Sequence, residues 1–293
     1  MTQFDNVSFK YEPHIQKLNS VLFDQKKVSV SVLRLDLIHP EVGGNKWFKL
    51  KYNLAEAKKQ NHETILTFGG AFSNHIHATA AACKLAGLKS IGVIKGEESS
   101  QSNSTLSFAK TNEMQLYFVS REDYKLKNDT SFINGLKEQF GNFYLIPEGG
   151  NNSLGVKGCE EILYGVPDFD IAFCACGTAT TFEGLSRKLK PHQKLIGISV
   201  LKGNGEMTEQ HPEIITDYHF GGYAKHTQEL LDFKKQFEKE NDIPLDYVYT
   251  SKLFFAVHAV IAKDKIPANT KILIIHTGGL QGNSGYEKRM NLV

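Results

Sequence analysis

Between residues 64 and 146 the chain keeps one beat, a short apolar run followed by a helical stretch, and few folds accommodate it. Segments 64–68, 90–94, 115–119 and 142–146 read as buried strands. Segments 74–86, 105–111, 132–140 and 154–163 read as helices, the first rich in alanine and ended by Gly87. The pattern continues with a strand at 170–175, a helix running through Arg187, a strand at 195–200 and a late strand at 272–276. Strands separated by helices call for parallel pairing through right-handed crossovers, so the fold class is α/β with one or two open, twisted, doubly wound parallel sheets. Ahead of this pattern, Val28, Val30 and Val32 alternate with serines, and Leu33, Leu35 and Leu37 with Arg34 and Asp36. Residues 27–37 therefore read as a strand whose facing shifts once. The 97–103 loop and the polar run at 203–210 read as mobile connections, and no internal repeat is present.

With 293 residues and 41% hydrophobic content, the chain can bury the core of one large or two ordinary domains. Its 34 basic and 32 acidic residues are well mixed, which argues against a nucleic-acid partner. The start of the chain lacks the apolar run of a secretory signal, and no segment approaches the ~20 apolar residues of a membrane helix. A cytoplasmic protein is expected. Cys83, Cys159, Cys174 and Cys176 match neither a zinc site nor a disulfide scaffold and read as reduced core thiols. His75 and His77 lack metal-ligand helical spacing, so no metal is assigned.

The segment from Gly43 to Leu50 joins a flexible turn, a reactive-amine candidate and a helix start. The glycines permit positive φ, and Asn45 is placed to cap the helix implied by Trp47, Leu50, Leu54 and Ala57. Lys46 then lies in the first turn, against the positive end of the helix dipole, where acidic residues are favoured. Taken alone, Lys46 with Lys49 and Lys51 is a solvated basic face. Three loops change that reading.

In open α/β sheets, ligands bind beyond the carboxyl ends of the strands. The first such loop runs from Gly69 to His75, where two glycines expose backbone donors and Ser73 and Asn74 add a hydroxyl and an amide suited to an anion. Its simpler reading is a helix cap. The second, Gly177-Thr178-Ala179-Thr180-Thr181, is a candidate phosphate nest. Neither the P-loop pattern nor Gly-x-Gly-x-x-Gly is present, which favours a small phosphate ester over a nucleotide. The third, His276 to Gly282, follows the last strand. An amine, a phosphate cradle without a P-loop lysine and a second anion loop are the parts that pyridoxal 5′-phosphate chemistry on an amino acid requires.

The residues also carry a family resemblance. Seven motifs occur in order: Leu35-Asp36-Leu37 with His39-Pro40, Gly44-Asn45-Lys46 with Lys49-Leu50, Gly69-Gly70 with Ser73-Asn74-His75, the run from Pro147 to Asn151, the run from Gly177 to Thr181, the run from Val248 to Lys252, and His276-Thr277-Gly278-Gly279. On these the chain resembles the 1-aminocyclopropane-1-carboxylate deaminase and D-cysteine desulfhydrase family of tryptophan-synthase-β-like, fold type II pyridoxal-phosphate enzymes. The resemblance implies a larger cofactor-binding domain from residues 1–50 and 146–293, a smaller inserted α/β domain at 51–145, and a homodimer. It makes Lys46 the Schiff-base lysine, Asn74 the partner of the ring hydroxyl, and Gly177, Thr178, Ala179, Thr180 and Thr181 the phosphate site. Thr250 and Thr277 complete the cofactor set. Ser73, Tyr223 and Tyr249 are implied as catalytic residues beside Lys46, and Asn45, Ser73, Asn74, His75 and Tyr223 as substrate contacts.

Two positions separate the members of the family. The deaminase has a glutamate at the pyridine nitrogen and a leucine before the last Gly-Gly, whereas this chain has Thr250 and Thr277, like the desulfhydrases. A carboxylate facing the ring nitrogen strengthens the electron sink that opening a cyclopropane needs, and a neutral hydroxyl supplies less. β-Elimination from a small amino acid is the expected reaction, with D-cysteine giving pyruvate, ammonia and sulfide. The alternatives are 1-aminocyclopropane-1-carboxylate deamination and a catalytically weak cofactor-binding protein. Departures from the family are Ala179-Thr180 in place of a more glycine-rich loop, Ser251 in place of glycine, and a shorter segment after Lys95.

Overall fold

The computed structural model describes residues 11–97, 103–203 and 205–290. In chain order these form β1 (Ile15–Leu18), α1 (Val21–Gln25), β2 (Ser29–Arg34), α2 (Asn45–Lys59), β3 (Thr64–Gly70), α3 (Asn74–Leu85), β4 (Lys89–Lys95), α4 (Ser104–Thr111), β5 (Met114–Val119), α5 (Thr130–Phe140), β6 (Tyr144–Ile146) and α6 (Ser153–Cys159). They continue as β7 (Ile171–Cys176), α7 (Thr180–Ser186), β8 (Lys194–Ser199), α8 (Gly205–Gln210), β9 (Ile214–Ile215), α9 (Gln228–Asn241), α10 (Thr250–Ala262), β10 (Lys271–His276) and α11 (Asn283–Met290). The chain divides into two compact units, one built on Lys46–Gly158 with the last helix, the other on Glu12–Asn45 with Cys159–Leu280.

The first unit holds a four-stranded sheet in the order β5-β4-β3-β6, parallel throughout. Leu66, Phe68, Ile91 and Val93 pack on one side with Tyr124, Leu136 and Phe143. Ile94 and Met114 pack on the other with Ile76, Ala80, Leu106 and Ala109. Burial on both faces is why these strands read as continuous apolar runs in the sequence. Helix α6 lies close on the backbone of α2, because a Cβ added at Gly158 would strike the Phe48 carbonyl.

The second unit holds a six-stranded sheet in the order β1-β2-β10-β7-β8-β9. Its strands run parallel except β1, which pairs antiparallel with β2 along the edge. Val30, Val32, Phe173, Ile198, Ile272 and Ile274 form one core with Leu253, Phe254, Val257 and Ile261 of α10. Helix α10 is so heavily buried that it carries no polar stripe. Neither α9 nor α10 is among the elements read from the strand-helix beat.

Other differences from the sequence reading have local causes. The strand expected at 27–37 stops at Arg34, and Leu35–Leu37 form a 3-10 turn. The turn follows from Asp36, whose carboxylate accepts from Arg34 Nε (2.9 Å) and Nη2 (2.7 Å) and lies 3.0 Å from His276 Nδ1. The helix expected at 154–163 ends as the 3-10 turn Glu160–Leu163, and α8 occupies most of the polar run at 203–210. The expected 97–103 loop lies largely outside the described residues. All four cysteines are buried and unbridged, and no helix among the described residues is long and apolar enough to cross a membrane.

Arg34, Asp36 and His276 form a buried cluster that ties the end of β2 to the end of β10. Burial alone would raise the Asp36 pKa, but hydrogen bonds and charge from His276 and Arg34 hold it well below the usual carboxylate range. Asp36→Asn should cost about 3–5 kcal/mol in urea unfolding at neutral pH, the penalty for breaking a buried pair. Asp36 contributes fully above about pH 4 and loses its contribution as pH falls through the lowered folded-state value, so the variant's deficit should shrink in acid. A deficit below about 1 kcal/mol at pH 7 would contradict this assignment.

Candidate functional site

Strands β2, β10 and β7 are parallel neighbours, so their carboxyl ends share one edge of the sheet. The segments that follow them meet there. The Asn45 backbone N–H donates to the Thr277 carbonyl at 3.2 Å, and its side-chain amide donates to Thr181 Oγ1 at 2.9 Å. Gly44 lies with φ +75° so close to the Thr277 carbonyl that a Cβ would overlap it. Asn45 is thus the first residue of α2, but its amide is bonded across to Thr181, a use that the capping role expected from sequence does not include.

The Gly177–Thr181 loop links β7 to α7. Ala179 adopts the left-handed conformation with φ +41°, and Thr178 and Thr180 join their hydroxyls at 3.1 Å while the Thr180 N–H turns back on the Thr178 carbonyl. Thr180 and Thr181 are buried and anchor the loop, whereas Gly177, Thr178 and Ala179 are accessible. Gly177 lies under the Tyr249 ring, 3.2 Å from where its Cβ would be. Tyr249 in turn meets the ring of Tyr223 edge to face, with centroids 6.4 Å apart.

Thr250 opens α10 and is fully buried. Its hydroxyl donates to Asp246 Oδ1 at 2.8 Å and accepts from the Asp246 N–H at 2.6 Å. Asp246 also accepts from the N–H groups of Val248, Tyr249 and Thr250, so this buried carboxylate caps the helix. Sequence reading passed over Asp246, although an aspartate just ahead of an apolar helix is the usual start signal.

In the first unit, Lys46 is half-buried in the first turn of α2. Lys49 and Lys51 are buried, which removes the solvated basic face, and the Lys51 ammonium lies about 5 Å from the rings of Phe48 and Tyr52. Ser73 caps α3 by accepting from the N–H groups of His75 and Ile76. Asn74 Oδ1 accepts from Gln281 Nε2 at 2.8 Å, a partner absent from the sequence reading. Thr67 gives its hydroxyl proton to the Ile146 carbonyl and lies 2.8 Å from His75 Nε2. His75 Nε2 must therefore carry a hydrogen, and the buried Nδ1 is left as an unpartnered acceptor. Burial, with the positive charges of Lys46 and Lys49, pushes the His75 pKa well below its ordinary value, so the ring is neutral.

Each unit gathers its share of the residues named from sequence: Lys46, Ser73, Asn74 and His75 in the first, and Asn45, the 177–181 loop, Tyr223, Tyr249, Thr250 and Thr277 in the second. The chemistry suits pyridoxal phosphate. A half-buried amine could take its aldehyde, and a hydroxyl-lined loop with backbone donors could take its phosphate.

Comparison with known proteins agrees. A family model described as pyridoxal-phosphate dependent enzyme matches residues 20–278. The chain is 30% identical to a Pyrococcus horikoshii protein provisionally named 1-aminocyclopropane-1-carboxylate deaminase, over 89% of this chain and 87% of that protein. It is 31% identical to the bifunctional, mitochondrial D-cysteine desulfhydrase/1-aminocyclopropane-1-carboxylate deaminase of Arabidopsis thaliana, over 86% and 72%. A crystal structure described as an ACC deaminase homologue superposes with a TM-score of 0.81 at 26% identity, over 97% of this chain and 95% of that one.

The left-handed Ala179 is strained by about 1–2 kcal/mol, and glycine is free of that strain at a smaller entropic cost. Ala179→Gly should therefore raise unfolding stability by about 0.5–1 kcal/mol, read from urea midpoints. A loss of stability would show that the alanine methyl is held by favourable contacts.

Proposed function

This chain belongs to the pyridoxal-phosphate-dependent enzymes, among them to the 1-aminocyclopropane-1-carboxylate deaminase and D-cysteine desulfhydrase family, and from that premise we propose that it eliminates the β-substituent of a small D-amino acid. D-Cysteine and water would give pyruvate, ammonia and hydrogen sulfide. When bound, pyridoxal phosphate supplies an electron sink that stabilises negative charge at the substrate α-carbon.

The chain's own residues do the rest. The Lys46 amine would hold the cofactor through its aldehyde and would serve as the base that takes the substrate α-proton. The 177–181 loop would hold the phosphate, and the Asn74 side chain, oriented by Gln281, would bond the ring hydroxyl. Ser73 already accepts from two backbone N–H groups, which polarises its own O–H toward a substrate carboxylate or a leaving group. Neutral His75 and the α3 N-terminus beside it favour an anionic carboxylate without adding a titrating proton. Tyr223 and Tyr249 line the substrate side.

The observation that carries the choice of reaction is Thr250. Its hydroxyl is neutral, and its one proton is committed to Asp246, whose carboxylate is taken up by the helix cap. A ring nitrogen held against Thr250 would meet a hydroxyl and not a free carboxylate, so the sink would be weaker than the glutamate of the deaminase would make it. Sulfide is a good leaving group and needs only brief charge at the α-carbon, whereas opening a cyclopropane needs more. The names of the relatives favour ring opening, and the products decide.

Purified protein saturated with pyridoxal phosphate should be given D-cysteine, L-cysteine, β-chloro-D-alanine and 1-aminocyclopropane-1-carboxylate, with pyruvate and 2-oxobutanoate measured. Pyruvate from the two D-substrates is expected, reduced about 10³-fold or more in Lys46→Ala. Formation of 2-oxobutanoate from the cyclopropane would overturn the reading of Thr250. Silence on all four would overturn β-elimination from D-cysteine.

A further inference from the structure

Lys252 closes the motif from Val248 to Lys252 and has no task in the reaction above. Its side chain is fully buried, and its Nζ donates to three backbone carbonyls: Gly222 at 2.6 Å, His219 at 2.9 Å and Val200 at 3.4 Å. Three ammonium protons meet three acceptors, and no carboxylate forms an ion pair with Lys252 among the described residues. A buried cation is ordinarily matched by an anion, so a cage of neutral carbonyls is an uncommon solution. Burial pushes the Lys252 pKa down to about 8, with the charge of Asp246 opposing, which leaves the amine charged at neutral pH.

The carbonyls come from two places. Val200 follows β8, and His219 and Gly222 belong to the turn that leads into Tyr223. Three consecutive residues of that turn, Phe220, Gly221 and Gly222, have φ of +52°, +91° and +109°. The turn brings the negative ends of two peptide dipoles, with that of Val200, onto one point, where they would repel one another without a positive charge. Potassium and ammonium ions are held in proteins by such convergent backbone carbonyls.

We propose that Lys252 is a tethered monovalent cation, whose ammonium fills a carbonyl cage that would otherwise require a potassium or ammonium ion, and that it thereby holds the 219–223 turn and sets Tyr223 against Tyr249. Lys252 is a positioning residue. Its effect on turnover rests on Tyr223 belonging to the substrate site, whereas the cage itself does not.

Two variants of the full chain, saturated with pyridoxal phosphate, test the cage. Lys252→Ala opens room for an ion, and Lys252→Met keeps the stem but removes the charge and fills the space. The first readout is the rate of tryptic cleavage after Lys225, an exposed residue two beyond Tyr223. The second is kcat/KM for pyruvate release, with potassium or ammonium chloride compared with choline chloride at equal ionic strength.

The wild-type protein should respond equally to all three salts. Lys252→Ala should be cleaved about 10-fold faster and lose about 10–100-fold in kcat/KM, with both reversed at least in part by potassium or ammonium and not by choline. Lys252→Met should show the same losses with no recovery. A folded Lys252→Ala cleaved at the wild-type rate would overturn the proposal, as would equal recovery in choline or ion-specific recovery of Lys252→Met. If no amino acid is turned over, the reaction reading fails and the cleavage readout still decides the cage.

Discussion

Asn45 is held at two points, and the arrangement of the second unit's edge depends on it. Its N–H is bonded to the Thr277 carbonyl beyond β10, and its amide to Thr181 beyond β7. Because β2, β10 and β7 run parallel side by side, three segments far apart in sequence leave the sheet on one edge and meet at this residue. Lys46 is the next residue in the chain, so its starting point is fixed by hydrogen bonds that do not involve its own side chain. Gly44 makes the approach possible, since any larger residue would overlap the Thr277 carbonyl and would also be strained at positive φ.

The buried charges around this edge are satisfied in three ways. Asp36 is met by Arg34 and His276, a buried cluster that fixes the strand ends from which the loops depart. Asp246 is met by backbone N–H groups and by the Thr250 hydroxyl, so its charge serves the start of α10. Lys252, two residues past Thr250, is met by carbonyls alone. In the first unit His75 avoids the cost by remaining neutral, since burial and the charges of Lys46 and Lys49 oppose its protonation.

Much of this was legible in the sequence. The parallel sheets follow from the strand-helix beat, and the candidates Lys46, Ser73, Asn74 and the 177–181 loop are marked in the sequence by glycine, hydroxyl and amide residues at strand ends. What was hidden was tertiary. Edge strand β1 is only four residues, with no alternation to mark it, and α10 is too evenly apolar for its period to show. The partners Gln281 and Thr67 lie 207 and eight residues from the side chains they meet, Asn74 and His75, and no local pattern connects them. The burial of Lys49 and Lys51 could not be read locally, because it comes from packing between distant segments, as where Lys49 lies against Gly150.

The central claim is that Lys46, among the many amines of this chain, is the one that holds the cofactor. Borohydride reduction of the pyridoxal-phosphate-loaded protein, followed by peptide mapping, tests it directly, because reduction fixes the cofactor permanently to its lysine. The modified residue is expected to be Lys46; trypsin does not cut after a modified lysine, so the label should lie on the peptide from Leu35 to Lys49. Modification of Lys49, Lys51 or Lys252 in its place would contradict the account, and so would a stoichiometric label spread over exposed lysines.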